Sequence, residues 1–411
     1  MKKVVITGLG VVSPIGIGKE AYWSALAEGK NGIDFISSFD TEAHNVKIAA
    51  EVKDFNPELW LDKKEVRRTD RAVQFAQAAA SLAIEDANFK VDEIEKTRFG
   101  VYIGSGQGGI KTTSDNIKTL LEKGPNRVSP FCVPMMITNM PAAYVAINCH
   151  AKGPNFSVTS ACATALHSIG EAYNAIARGD ADYMLAGASE ATIVPLCTAA
   201  FGALKALSTN PDPKTACRPF DAQRDGFVAG EGAGVLLLEE YEAAKARGAH
   251  IYAEIKGYGL TCDAYHITAP DPTGDGAYRA MKLAVKRAGW QKEEIDLINA
   301  HGTSTHFNDK METAAIKQLM GADAAKRVLV QATKSMIGHA LGASGALGLV
   351  ASLMAFEKGV VHPTINYTTF DPECDLNYVP NKAVTASVRK ILVNSFGFGG
   401  HNAVIALEKC E

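Results

Sequence analysis

Short apolar runs that end in glycine alternate along this chain with stretches of helical period. Lys3 to Ile6 reads as a buried strand that stops at the turn residues Gly8 and Gly10. Lys19 to Glu28 reads as a helix with Trp23 and Leu26 on one face. A charged segment, Asp62 to Asp70, leads into a long Ala- and Gln-rich helix from Arg71 to Ala87, whose small residues suit close packing. Arg98 to Gly104 is the next strand, and Thr112 to Leu121 a helix. The β-rich run Asn155 to Val158 then meets a small-residue turn and a helix from Ala163 to about Arg178. Tyr183 to Ala186 is a short strand ending at Gly187. Phe227 to Glu239 reads as a glycine-rich turn into a fully buried strand, and Tyr241 to Arg247 as a helix closed by Gly248.

The pattern then restarts. Ile251 to Gly257 repeats the glycine-terminated first strand, and Asp275 to Ala288 repeats the helix after it. Glu294 to Ala300 parallels the approach to the Arg98 strand. Val328 to Val330 leads to Lys334 and a small-residue helix, as Phe156 to Val158 leads to Cys162 and its helix. The reading is α/β, with two similar halves, 1–250 and 251–411, each a mostly parallel sheet covered by helices. No linker of low complexity separates them, so one rigid body is expected.

Composition narrows the class. Of 411 residues, 47% are hydrophobic and 21% charged, which is globular rather than disordered. A net charge of −3 gives no electrostatic reason to expect nucleic acid. The eight cysteines (132, 149, 162, 197, 217, 262, 374 and 410) form no CxxC pair and suit a reducing, cytoplasmic setting. Thr7, Gly8, Gly10, Ser13 and Pro14 break the apolar start, so a strand is expected there rather than a signal peptide. No apolar run reaches the roughly eighteen residues of a membrane span.

Three residues carry candidate chemistry. Cys162 stands where a strand gives way to a helix, and free N–H groups at a helix start favour a thiolate. The alternative is a small buried cysteine serving as a hydrophobe. His301, followed by Gly302, and His339, preceded by Gly338, lie at junctions that related halves could bring to Cys162. Each histidine taken alone is more often structural. His301 and His306 are poorly spaced as ligands, and no metal is expected. Gly104-Ser105-Gly106-Gln107-Gly108-Gly109 fits a dinucleotide loop, yet no second strand with an acidic end follows, so a glycine-lined cavity wall is the expectation.

Four motifs together are specific: Ser160-Ala161-Cys162-Ala163-Thr164, His301-Gly302-Thr303-Ser304-Thr305, Lys334 through His339, and Asn394 through Gly400. Over essentially its whole length the chain resembles the β-ketoacyl-[acyl-carrier-protein] synthases, above all the elongating type II enzyme of fatty acid synthesis. The resemblance implies the thiolase fold, two pseudo-repeated halves in five αβαβα layers. It implies that Cys162 takes an acyl chain from a carrier-protein thioester, and that His301 and His339 act on malonyl thioester. Loss of carbon dioxide then drives a Claisen condensation that extends the chain by two carbons. Backbone N–H groups of Cys162 and Phe398 would form the oxyanion hole. Phe398 would be a gate made mobile by Gly397, Gly399 and Gly400.

The same resemblance implies that Lys334 pairs with Glu312 in a network that includes Asp309. Thr303 and Thr305 would contact the phosphopantetheine arm, with Gln107 and Phe201 in the substrate pocket. Lys64, Arg67 and Arg68 would dock an acidic carrier protein, although a solvated helix face also explains them. No cofactor beyond the carrier's phosphopantetheine is implied. A cytoplasmic homodimer is expected, with no nucleic acid or membrane partner. The alternative is the catalytic subunit of a type II polyketide synthase, polyene or aromatic, working with a chain-length-factor homologue that lacks the cysteine. A thiolase is disfavoured because Cys410 lies outside the C-terminal glycine loop. Ala165, His306, His401 and Gln107 depart from the family pattern. A polar Gln107 in an apolar acyl tunnel would carry a desolvation cost, which predicts an unusual acyl chain or a pocket lined by a partner subunit.

Overall fold

The computed structural model describes residues 1–410. Ten strands run in order along the main sheet, and five of them lie in the first half: β1 (Val4–Ser13), β2 (Phe99–Gly104), β3 (Asn155–Phe156), β4 (Tyr183–Glu190) and β5 (Gly232–Glu240). Five belong to the second: β6 (Ala253–Cys262), β7 (Leu297–Asn299), β8 (Leu329–Gln331), β9 (Lys390–Gly397) and β10 (His401–Glu408). The spatial orders are β3-β2-β4-β5-β1 and β8-β7-β9-β10-β6. In each set the first two pairings are parallel and the last two antiparallel. The sheets are therefore mixed rather than mostly parallel as expected, because β5 returns beside β4 and β10 beside β9 without a helical crossover between parallel neighbours. The sheets meet at one seam, where Val5 and Ile6 of β1 pair with Glu254 and Ala253 of β6.

Helices complete five layers. In the first half are α1 (Arg71–Asp86), α2 (Met140–Asn148) and α3 (Thr164–Arg178). In the second are α4 (Asp275–Ala288), α5 (His306–Met320) and α6 (Ser344–Lys358). Phe75 and Ala79 of α1 and Val145 of α2 pack on Val101 and Ile103 of β2 on one outer face. Met281 of α4 and Ile316 of α5 pack on Ile298 and Leu392 on the other. α3 and α6 lie between the sheets, where Leu166 and Ile169 meet Leu347 and Val350. Every residue of α6 from Ser344 to Phe356 is buried, as a helix apolar on all sides requires. This is the αβαβα thiolase fold that the motifs implied.

The glycines expected to end strands lie inside them. Gly8 and Gly10 sit mid-way along β1, which continues to Ser13. A Cβ on Gly10 would lie 1.7 Å from the carbonyl oxygen of Ala79 in α1. The second half repeats the contact, with a Cβ on Gly259 of β6 falling 1.9 Å from the oxygen of Ala280 in α4. Here glycine marks helix backbone laid directly on strand backbone in β1 and β6, and at Gly187 of β4 a Cβ would lie 2.0 Å from Gly234 O of the adjacent β5. These close backbone approaches are why apolar-run reasoning cut β1, β4 and β6 short. No helix among the described residues is long and apolar enough to cross a membrane.

Candidate active site

After β3 the chain makes a single 3-10 turn, Ala161–Ala163, before α3 begins. Ala161 takes φ 49°, and the second half reproduces the feature at Leu341, φ 41°, in the turn Leu341–Ala343 before α6. The two turns start the two buried central helices. Cys162 occupies the first, and its sulfur faces the backbone N–H groups of Cys162 and Phe398. Phe398 reaches it because a Cβ on neighbouring Gly397 would crowd Ser160 O at 2.8 Å and Cys162 N at 3.1 Å.

Both histidines come to the same place. His339 Nε2 lies 3.1 Å from Cys162 Sγ, and its Nδ1 lies 2.8 Å from Ser344 Oγ. His301 follows β7, and its ring stands nearly perpendicular to that of His339, with centroids 5.4 Å apart. One ligating atom from each of Cys162, His301 and His339 falls within 4.8 Å of the others. His306 is not part of this group; it is exposed at the start of α5.

A buried charge network holds the His301 loop. Lys334 Nζ donates to His301 O at 2.5 Å and lies 3.4 Å from His301 Nδ1. Glu312 accepts from the N–H groups of His301 and Gly302 and from Asn394 Nδ2. Asp309 accepts from the N–H groups of Phe220, Thr303 and Ser304. Lys334 and Glu312 therefore do not form the expected ion pair: each holds His301 from a different side, and their charges act across it. Arg224, buried, also reaches this loop, donating to Thr305 O and Asp371.

Burial dominates the electrostatics. It pushes the Cys162 thiol up to about 11, against the pull of Lys334 and the two amides. The helix start alone thus does not make a thiolate here, contrary to the expectation from position. His301 and His339 are held well below the usual imidazole range, first by burial and then by Lys334, so both are neutral at pH 7. Burial brings Lys334 down to about 8, and Glu312 opposes the shift, which leaves an ammonium at pH 7. That cation beside His301 is unfavourable for a divalent metal on the same imidazole.

A cavity of about 480 Å³ opens above the thiol. Thr303 and Thr305 line it with their hydroxyls 2.9 Å apart, and Phe201 lines it while packing edge-on against Phe227. Phe398 and Gly397 form part of its wall; Gly399 lies exposed beyond them. Gln107 lines it too but is exposed, so the chain alone incurs no burial cost for that amide. Ala165 is fully buried in α3, and His401 is exposed beside His167. Lys64, Arg67 and Arg68 are exposed on and just after the short helix Lys63–Val66, and Arg68 lies over the ring of Phe131.

The loop Gly104 to Gly109 is a cavity wall. The N–H groups of Gly106 and Gln107 point at the carboxylate of Glu190, so a protein anion fills the nest that a phosphate would need. Motif reading missed Glu190, Ser344 and Arg224. For Glu190 a signal existed, since a lone acid closes the apolar and small-residue run from Met184 to Ser189.

Family models match both parts of the chain. Residues 1–244 fit the β-ketoacyl synthase N-terminal domain and residues 252–368 the C-terminal domain. The chain belongs to the β-ketoacyl synthase family. Among relatives of this synthase is the 3-oxoacyl-[acyl-carrier-protein] synthase 2 of Staphylococcus aureus (strain COL), 51% identical over 410 residues and covering 100% of this chain and 99% of that protein. The ishigamide ketosynthase/chain length factor superposes with a TM-score of 0.94 at 39% identity, covering all of both chains. A type II polyketide synthase ketosynthase, bound to the hexaketide and in complex with its acyl-carrier protein, gives 0.91 at 36%, again over all of both chains.

Proposed function

We propose that this chain is the 3-oxoacyl-[acyl-carrier-protein] synthase of fatty acid elongation, condensing an acyl group held on Cys162 with malonyl carrier protein. The observation that carries this reading is the contact of 3.1 Å between the Cys162 thiol and a neutral His339, with two backbone N–H groups aimed at the sulfur. Full-length identity of 51% to a 3-oxoacyl synthase, against 39% to a ketosynthase/chain length factor and 36% to a type II polyketide synthase ketosynthase, favours fatty acid over polyketide assembly.

In the first half-reaction His339 Nε2 takes the thiol proton as sulfur attacks the acyl thioester. The oxyanion accepts from the N–H groups of Cys162 and Phe398, and His339 returns the proton to the departing phosphopantetheine thiolate. In the second, Lys334 donates to His301 Nδ1, so His301 carries its proton on Nε2 and offers it to the malonyl thioester oxygen. Ser344 can donate or accept, which lets His339 serve as acceptor to the thiol and, in its other tautomer, as a second donor to that oxygen. Carbon dioxide leaves, the enolate carbon attacks the acyl–Cys162 carbonyl, and the sulfur departs as a thiolate that takes one proton from water through His339. Thr303 and Thr305 hold the phosphopantetheine arm, Phe398 gates the cavity on its glycines Gly397 and Gly399, and Gln107 and Phe201 border the acyl chain.

Lys64, Arg67 and Arg68 receive the carrier protein. We further propose a homodimer, with a heterodimer carrying a chain-length-factor homologue as the alternative. β3 is an edge strand with Phe156 exposed, and Leu121, Val133 and Ile147 expose apolar surface nearby in sequence. The domain boundary is placed near residue 250, before β6. All eight cysteines are free thiols, which supports a cytoplasmic enzyme. The test is intact mass after mixing the protein with a medium-chain acyl carrier protein. Wild type gains the acyl mass and Cys162→Ala does not; an adduct on the variant, or none on wild type with any chain length, contradicts the assignment.

A further inference from the structure

Glu190 is a fully buried carboxylate that forms no ion pair among the described residues. It stands at the end of β4, and four donors converge on it. Ser105 Oγ and Gln107 N lie 3.0 Å from Oε1; Gly106 N at 2.8 Å and Gly342 N at 3.0 Å reach Oε2. Ser105 Oγ itself accepts from Gly108 N at 2.9 Å, so its own proton is directed to Glu190. Three amides and a committed hydroxyl leave no acceptor for a carboxyl proton, and the hydrogen bonds hold the anion although burial raises its pKa.

Two glycines make room for it. A Cβ on Gly342 would lie 2.6 Å from Glu190 Oε2, and one on Gly106 2.8 Å. Gly342 is the second-half counterpart of Cys162: each is the middle residue of the strained turn that begins a central helix. At the first turn the N–H of the middle residue serves the thiol, and at the second it meets Glu190. The second turn also lies between His339 and Ser344, the residue that bonds His339 Nδ1.

We infer that Glu190 is a positioning residue: its carboxylate fastens the turn between His339 and Ser344 to the cavity-wall loop Ser105–Gln107, and so fixes His339 against Cys162. The inference rests on the proposed acyl transfer to Cys162. Around the thiol the titratable groups are His339, His301, Lys334 and Glu190; around Glu190 they are Cys162 and Cys197. Glu190 is the negative charge that opposes Lys334 at the sulfur.

The experiment compares wild type, Glu190→Gln and Gly342→Ala in acyl transfer from acyl carrier protein, read by intact mass. It also reads the pH profile of thiol alkylation by iodoacetamide, and the melting temperature. Glu190→Gln keeps the size, removes the charge and turns an amide donor toward backbone donors. Gly342→Ala keeps the charge and puts a methyl group where the carboxylate oxygen lies. Both variants are expected to lose between roughly tenfold and a hundredfold in acyl-transfer rate, the scale of a misplaced catalytic group. Only Glu190→Gln moves the alkylation inflection, to lower pH. Acyl transfer within about twofold of wild type in both variants overturns the inference, as does a loss matched by a lower melting temperature with an unmoved alkylation profile. If Glu190→Gln does not fold, the rate in Gly342→Ala decides. Absence of acyl transfer in wild type would instead defeat the underlying reading.

Discussion

Lys334 Nζ lies 3.4 Å from His301 Nδ1 and donates to the same residue's carbonyl oxygen. One ammonium thereby holds the backbone of His301 and, in the proposed mechanism, sets the tautomer of the imidazole that would face malonyl thioester. Lys334→Met removes the donor that keeps the His301 proton on Nε2. Decarboxylation of malonyl carrier protein should fall by roughly a hundredfold or more, in line with loss of an oriented electrophile. Acylation of Cys162, which the proposed mechanism assigns to His339 instead, should fall less. Equal losses in the two half-reactions would show that Lys334 acts on the whole site rather than on His301.

The matched glycines of β1 and β6 make a stability prediction. Gly10→Ala and Gly259→Ala each drive a methyl group into a helix carbonyl at less than 2 Å. Each should cost more than about 3 kcal/mol, through forced separation of strand and helix. Denaturant unfolding of the two variants checks this; a change below about 1 kcal/mol at either position would mean that the helix can shift at little cost.

His362 makes stability depend on acid. It is buried, accepts from Thr333 and donates to Pro363 O, and burial holds it down at about 4. Below an unfolded pKa of about 6.5 the unfolded chain binds a proton that the folded chain refuses. Stability is therefore full above about pH 6.5 and declines toward pH 4, by on the order of 3 kcal/mol for this residue. His362→Gln should show a shallower decline of unfolding free energy between pH 7 and 4.5, whatever its stability at pH 7. Parallel curves would remove His362 as a cause.

The docking assignment separates carrier binding from thiol chemistry. Lys64→Glu together with Arg67→Glu should raise KM for acyl carrier protein about tenfold or more at low salt and lessen its salt dependence. Iodoacetamide alkylation of Cys162 should not change. An unchanged KM would return these residues to the solvated face that their mixture with Asp62 and Glu65 also allows.

The sequence made the architecture readable because the duplication is written in element order. Asp275 to Ala288 was legible to the residue, since an amphipathic helix carries its own period and Gly289 ends it. Cys162, His301 and His339 were legible because glycines and motif context surround them. Strand ends were not: Gly8, Gly187 and Gly257 look like punctuation in one dimension, while in space they are contacts with another backbone. Contacts between distant segments were equally hidden. Glu190 meets Gly342 across 152 residues, and the separation of Lys334 from Glu312 depends on which side of His301 each approaches. The thiol's chemistry was half visible, because a helix start can be read from a sequence and the depth of burial that outweighs it cannot.

The central claim is that Cys162 carries an acyl group which malonyl carrier protein then takes from it. The most direct measurement is a single turnover: wild type loaded with a medium-chain acyl group, freed of excess donor, mixed with malonyl carrier protein, and followed by intact mass of both proteins. The account predicts that the adduct leaves Cys162 as the carrier protein gains a 3-oxoacyl group two carbons longer than the one loaded, with release of carbon dioxide. An adduct that persists, or that is lost as free acid with no new carrier species, would contradict it.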